Sequence, residues 1–350
     1  WVIFDTAYRD RGVFDGLDFG AHQGEPLAVT VNRNCPDAVD PNLSVNAAYT
    51  GISSDMEGAY DPYYGGFTFY APLVVADQSG LSSALYMQNS GTLCTSLEIW
   101  FKSRENCLRP ILGDVLTLAP GETVRYDPLS VLGPAWIGSA WIRATQPLGV
   151  VVDTVGPNHF SSYDGFAADV AELDFSLGTQ VNYAPLLFSE HQGWDSVIQV
   201  QNLSTSMSAR VKVYFLDQGG AVRATLVDWI CPRGSQTFFL PLVDDLPGNW
   251  VGSARIESQE WWSPGAAAVD PPRIRSVVMA ERWSDPARTA RREAVAYNAP
   301  TELLYDWQLG TIKGGTMSGS AVFAVPMMAK ANRNVTTELA IANLVPKPGF

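Results

Sequence analysis

Cysteine, histidine, lysine and long apolar runs are all scarce in this chain, and each shortage excludes something. Four cysteines in 350 residues are too few for a disulfide-dense scaffold. No Cys-x-x-Cys pair exists, so a zinc ribbon is excluded. The three histidines, His22, His159 and His191, fall in predicted loops of different segments without His-x-His or His-Glu-x-x-His spacing. That spacing argues against a metal cluster of imidazoles. No run of eighteen apolar residues occurs, which leaves no candidate membrane helix. Basic charge is also short: Lys+Arg is 23 against Asp+Glu 36, a formal net charge of −13 with pI near 4.6. A nucleic-acid binder needs a basic face for phosphates, so nucleic acid is not an expected partner, nor is anionic lipid. There is no Gly-x-Ser-x-Gly elbow and no phosphate-cradling loop; Gly314-Gly315-Thr316 follows Lys313 where a P-loop would need the reverse order. A Ser-His-Asp constellation assembled from distant positions stays open. No signal peptide is present, and the chain opens at Trp1 in an already strand-like run. This reads as either a processed N-terminus or part of a longer chain.

What is present is a packable, turn-rich sequence with internal repeats. Apolar residues make up 46% and charged residues 17%, with Gly 30 and Pro 23, which suits an all-β fold with many turns. Tyr70-Ala71-Pro72-Leu73 is followed by Gln88-Asn89, and Tyr183-Ala184-Pro185-Leu186 by Gln201-Asn202. A third copy reads Ala324-Val325-Pro326-Met327, then Ala342-Asn343, and the Pro-to-Asn spacing is 17 residues each time. Alternating runs follow in the two full copies, through Leu97, Ile99 and Phe101 and through Val211, Val213 and Phe215. That period of two is the signature of half-buried strands. Trp136-Ile137-Gly138-Ser139-Ala140 is matched by Trp250-Val251-Gly252-Ser253-Ala254.

These repeats predict an all-β chain of tandem, Ig-like antiparallel β-sandwiches, each of about seven strands, with partial repeats at both termini. The expected division is 1–50 as the closing part of a unit, 51–67 a connector, 68–155 a sandwich, 156–180 a connector, 181–283 a sandwich, 284–321 a connector, and 322–350 the opening part of a further unit. The closing part is recognised because Pro26-Leu27-Ala28-Val29-Thr30-Val31 parallels Pro147-Leu148-Gly149-Val150-Val151-Val152. The connectors 156–180 and 284–321 each carry a Tyr motif, at Tyr163 and Tyr297, echoed by Tyr49 before the first unit, which reads as an ordered strap against a sandwich. Half-units with open edges invite complementation between molecules; an interrupted longer chain is the other reading.

The run Val335 to Phe350, the stretch Pro185 to Asn202 and the Trp-x-Gly-Ser-Ala motif resemble repeats of large secreted or cell-surface proteins of filamentous, Chloroflexota-type bacteria. The likeness covers most of 68–155, 181–283 and 322–350. It implies an extracellular or surface setting and no particular chemistry.

Candidate sites follow from residue type. Leu27, Val29 and Val31 from the N-terminal part and Val325, Leu339 and Ile341 from the C-terminal part are the expected subunit interface. Cys94 and Cys107 flank one predicted strand and are a candidate disulfide, with four small buried hydrophobes as the alternative. The Asn-x-Ser/Thr triplets at Asn42, Asn202 and Asn334 are candidate glycosylation acceptors. No cofactor is required; the one metal the acidic loops suit is calcium, with Asp164, Asp169 and Asp174 as candidate ligands against a reading of plain solvated acidity. Tyr60, Tyr63, Tyr64, Phe67 and Phe69 crowd one connector as subunit contact, core or sugar platform, and Trp261-Trp262 has no match in the first unit. The expected function is a non-enzymatic structural subunit of an extracellular filament, sheath or surface layer, polymerising head to tail with itself. The alternative is a surface adhesin or carbohydrate-binding array, with surface glycans as its partners.

Overall fold

A computed structural model describes residues 60, 65–104, 107, 109–157, 159–168, 180–259, 271–283 and 293–299 in full. It gives the backbone of strands at 13–14, 17–18, 30–36, 44–50, 291–292, 305–306, 311–312 and 315–316. The architecture is all-β. After the two-residue pair β1 (Val13–Phe14) and β2 (Leu17–Asp18), β3 (Thr30–Pro36) and β4 (Ser44–Thr50) form an antiparallel hairpin.

The first full sandwich contains β5 (Phe67–Ala76), β6 (Ser82–Asn89), β7 (Thr95–Ser103), β8 (Ile111–Leu118) and β9 (Thr123–Tyr126). The one-turn helix α1 (Leu129–Leu132) leads to β10 (Trp136–Ala144), β11 (Leu148–Gly156), β12 (His159–Asp164) and the short β13 (Phe166–Ala167). Its two sheets run β13-β5-β10-β7-β8 and β12-β11-β6-β9. The second contains β14 (Val181–Ser189), β15 (Trp194–Asn202), β16 (Ala209–Asp217), β17 (Val222–Ile230), β18 (Ser235–Phe239), β19 (Trp250–Gln259), β20 (Ile274–Trp283) and β21 (Arg291–Asn298). Its sheets, β14-β19-β16-β17 and β18-β15-β20-β21, repeat the first unit's order strand for strand, apart from β13, which has no counterpart among the described residues.

Within each unit the second strand pairs with the fifth and the third with the sixth, as in immunoglobulin sandwiches. The terminal strands are exchanged: the first lies beside the sixth and the seventh beside the second. The inward rows close two cores. Phe69, Leu85, Met87, Leu97, Ile99, Phe101, Ile142 and Val152 fill one; Ile198, Val200, Val211, Val213, Phe215, Ile256 and Val278 fill the other.

Several expectations change here. Each unit has an eighth strand, so the segments read as connectors, 156–180 and 284–321, contain β12 and β21. His159 therefore sits in a strand, not a loop. A strand was missed there because His159-Phe160-Ser161-Ser162-Tyr163-Asp164 is buried along its whole length and shows no polar alternation. Phe69 of the aromatic-rich connector is core, while Tyr60 is half exposed and edge-on to Phe67.

Candidate functional site

The sequence motifs meet at one structural device, present twice. Ala140 pairs with Ala71 and Gly138 with Val74, so Ser139 alone faces Pro72-Leu73. Ser253 likewise faces Pro185-Leu186, between Ala184–Ala254 and Leu187–Gly252. This two-against-one arrangement is a β-bulge, and proline, which has no N–H, is tolerated at one. The leucine after it would be left with an unpaired N–H and C=O inside the sandwich. The Tyr163 hydroxyl, reaching over from β12, accepts from Leu73 N at 3.1 Å and donates to Leu73 O at 2.6 Å. Tyr297 of β21 does the same at Leu186, at 3.4 and 2.6 Å. Burial pushes both phenols well above the ordinary tyrosine range, so both stay protonated as the clasp requires.

Trp-x-Gly-Ser-Ala has its own cause. The Trp136 ring meets Phe101 edge-on at 6.1 Å, and Trp250 meets Phe215 at 6.3 Å. A Cβ at Gly138 would strike the Lys102 carbonyl and the Trp136 ring; at Gly252 it would strike the Leu216 carbonyl and Trp250. The asparagine ending each second strand is a bracket. Asn89 Nδ2 donates to Leu93 O and Leu118 O while Oδ1 accepts from Gly91 N. Asn202 repeats this with Met207 O, Ile230 O and Ser204 N. Asn202 is fully buried, so its triplet is not a glycosylation acceptor: the amide is spent inside the fold. Asn42 and Asn334 lie outside the described residues.

The two sandwiches share a buried seam. β5 lies against β15 and β20 of the second unit, and β10 approaches β18. Trp100 and Trp141 stack at 6.0 Å, and the Arg233 guanidinium from the second unit lies 5.0 Å from the Tyr70 ring and 5.8 Å from Trp141. Leu203 joins Tyr70, Trp141 and Ala168 in a small cluster, and Val277 and Met279 of β20 extend the first unit's core. Ser139 Oγ donates to Arg233 O at 2.9 Å, Gln201 Nε2 to Ala140 O at 3.1 Å, and Asn298 Nδ2 to Asp164 O at 2.8 Å.

A disulfide closes this seam covalently. Cys107 bonds Cys231, 124 residues away, with Cα atoms 5.4 Å apart. The Cys94–Cys107 pairing is thereby corrected: Cys94 is free and exposed. Cys94 precedes β7 and Cys107 follows it, and the nine-residue strand between them spans roughly 30 Å, far beyond disulfide reach.

One group order in the seam is that of a nucleophilic triad. Ser161 Oγ lies 3.0 Å from His159 Nε2, and His159 Nδ1 lies 3.0 Å from Glu281 Oε1. The chemistry lacks an opening: Ser161 is 3% exposed in mid-strand and its hydroxyl faces Met279 Sδ at 3.8 Å. A hydrolase needs room beside the nucleophile for the reacting carbonyl. These groups work instead as polar filling between the units. A shallow recess of about 410 Å³ lined by Gln180, Arg210, Glu257, Ser258, Gln259 and Pro271 touches none of them.

Of the calcium candidates, Asp164 is buried at the end of β12, and Asp169 and Asp174 lie outside the described residues. Among the described residues no group of three or more His, Cys, Asp or Glu is placed to hold a metal, and no helix is long and apolar enough to cross a membrane. Of the interface candidates, Val31 lies in β3, opposite Tyr49. Leu27, Val29, Val325, Leu339 and Ile341 lie outside the described residues, as do Trp261 and Trp262.

No family model and no curated protein matches the chain. Solved structures similar to parts of it include Thermotoga maritima 1070, at 17% identity and TM-score 0.24 over 29% of this chain and 94% of that one. A Bifidobacterium dentium β-glucuronidase complexed with coumarin-3-O-glucuronide shares 11% identity, TM-score 0.17, over 78% of this chain and 47% of that one. A Ruminococcus gnavus β-glucuronidase shares 10%, TM-score 0.16, over 77% and 45%. The chain thus spans about half the length of these glucuronidases, and likeness at this level carries no activity to it.

Proposed function

We propose that this chain is a non-enzymatic structural subunit of an extracellular filament, sheath or surface layer, joined head to tail by strand complementation. The observation that carries the reading is the register of the β3–β4 hairpin. Val31 pairs with Tyr49 as Val152 pairs with Tyr163 and Val278 with Tyr297. β3 and β4 therefore pair in the register of the seventh and eighth strands of a unit. Residues 322–350 carry the sequence of a first and second strand, with Pro326 and Asn343 at the repeat spacing. Complementation would bring Leu339 and Ile341 of one copy beside Val29 and Val31 of the next, adding backbone hydrogen bonds and alternate apolar contacts. The Cys107–Cys231 crosslink favours an oxidising, extracellular compartment and suits a part that bears load.

The test is light scattering and electron microscopy of the purified chain across a concentration series. Regular fibres are expected, and Leu339→Asp with Ile341→Asp should abolish them. A chain that stays single at high concentration overturns the reading.

A further inference from the structure

Most sheet edges of the two full units are short, covered or interrupted. β13 pairs with the edge of β5, and β14 carries Pro185, which offers no N–H. β12 lies against β21, and β9 and β18 have only four and five residues. That leaves β8 and β17, of eight and nine residues, each with a sheet neighbour on one side only among the described residues. Neither holds a proline or a lysine, and Val115, Val227 and Trp229 stand about half exposed along them. Long apolar edges of this kind are templates for a strand of another chain.

Two features recur at both edges. A register shift opposite Ile99 and Trp100 leaves Gly113 of β8 without a ladder partner, and one opposite Phe215 and Leu216 leaves Arg223 of β17 without one. Each bulge bends its edge. Further along comes an aspartate: Asp114 Oδ1 accepts from Val115 N at 2.8 Å, and Asp228 Oδ1 accepts from Trp229 N at 2.7 Å. Both N–H groups point out of the sheet edge. Ser96 turns its carbonyl to Thr145 N beyond β10, so by alternation Glu98 also faces β10, and its partner Val115 turns away from β7. Asp217 N bonds back to Ala221 O, so Arg210, of the other parity, faces β19, and its partner Trp229 turns away from β16. Asp114 stands opposite Ile99 and Asp228 opposite Val211, both fully buried. Residues opposite each other share a face, so both carboxylates lie on the core side of the sheet at its open rim. The two are not one repeat position. Val213, not Val211, corresponds to Ile99, and Leu226 stands opposite it. The arrangement recurs where the position does not, which inheritance of the repeat alone does not explain.

We infer that Asp114 and Asp228 are edge guards. Each occupies an outward N–H that an incoming strand would bond, and each sets a charge where that strand would extend the core face. The full sandwiches are thereby closed to strands added sideways. The inference rests on these two edges and is independent of whether chains join at their ends.

The test is sedimentation velocity over a concentration series on the full chain carrying Leu339→Asp and Ile341→Asp, which removes the proposed end-to-end joint. Into this parent go Asp114→Val and Asp228→Val. Asp244→Val with Asp245→Val, at exposed positions between β18 and β19, is the control with the same change of charge. The guard variant should self-associate at a concentration lower by about tenfold or more than parent or control. The Val115 and Trp229 amides should gain hydrogen-exchange protection in the associated form. Equal association of guard and control variants overturns the inference, and so does association that leaves those two amides unprotected. Circular dichroism reads folding. If the valine pair does not fold, Asp114→Asn with Asp228→Asn, which keeps shape and acceptor, is compared with Asp244→Asn and Asp245→Asn by the same two readouts, and the same outcomes decide. Fibres of the unsubstituted chain are read separately, so either claim can fail alone.

Discussion

Replacing Tyr163 with phenylalanine isolates the clasp at the bulge. The ring stays and its packing is kept; only the hydroxyl is lost. Leu73 then has a buried N–H and C=O whose bonds of 3.1 and 2.6 Å are gone. Each buried polar group left unmatched costs about 1–3 kcal/mol, and partial relaxation of the bulge recovers some of it. The expected loss for Tyr163→Phe is therefore about 2–4 kcal/mol, and about 1–3 kcal/mol for Tyr297→Phe, whose accepting bond is longer at 3.4 Å. Guanidinium unfolding followed by circular dichroism reads this directly. A pH series gives a second check. Burial raises both phenol pKa values in the folded chain, so each contributes stability that is fully present below the unfolded tyrosine pKa, about 10, and is lost as pH rises above it. Wild type should thus lose stability steeply above about pH 10, and each Phe variant should lose one proton's worth of that slope. Phe variants within about 0.5 kcal/mol of wild type, with an unaltered alkaline slope, would refute the clasp.

Other outcomes follow from the same geometry. Cys107→Ser or Cys231→Ser opens a link across 124 residues, worth about 5 kcal/mol in the chain-entropy account, so the unfolding midpoint should fall sharply while Cys94→Ser leaves it unchanged; a non-reducing peptide map should show the 107–231 pair. Gly252→Ala drives a methyl into the Leu216 carbonyl and the Trp250 ring and should cost roughly 2 kcal/mol or more by thermal melt, and Gly138→Ala should do likewise. Expressed in a glycosylating host, the folded chain should carry no sugar on Asn202 by glycopeptide mass spectrometry, because its amide is bonded to Met207 O and Ile230 O.

How much of this was legible in the sequence depends on whether the cause of a feature is local. The strands through Leu97, Ile99 and Phe101 or through Val211, Val213 and Phe215 have one wet face and one dry face, so alternation exposes them. β12 and the inner part of β20 are dry on both faces because the other unit covers them, and a continuous buried run has no period to read. The disulfide failed for the same reason in another form. Proximity in sequence favoured Cys94 with Cys107, but an intervening extended strand separates its own ends, and only the packing of one unit on another brings Cys231 to Cys107. The Ser161–His159–Glu281 chain likewise joins residues of different units, and no spacing rule could have announced it.

The repeated motifs were visible as words, yet their meaning is joint. Pro72 creates the bulge, Ser139 is the single residue opposite it, Gly138 lets the sixth strand approach, Trp136 covers that glycine, and Tyr163 from the last strand of the unit satisfies the leucine that the bulge strands. The first, sixth and eighth strands are thus tied at one point, and the eighth is the strand whose tyrosine must be delivered for the first to be stable. A unit missing either end therefore lacks one half of a hydrogen-bonded pair of groups, not merely some apolar area. If the proposed joint forms, Tyr49, in register with the two clasp tyrosines, would meet the residue after Pro326, Met327, which follows it as Leu73 follows Pro72. Tyr49→Phe should then weaken any joint between the two terminal segments while leaving the melting of both full sandwiches unchanged, and a joint indifferent to that hydroxyl would mean that the terminal segments do not meet as parts of one unit.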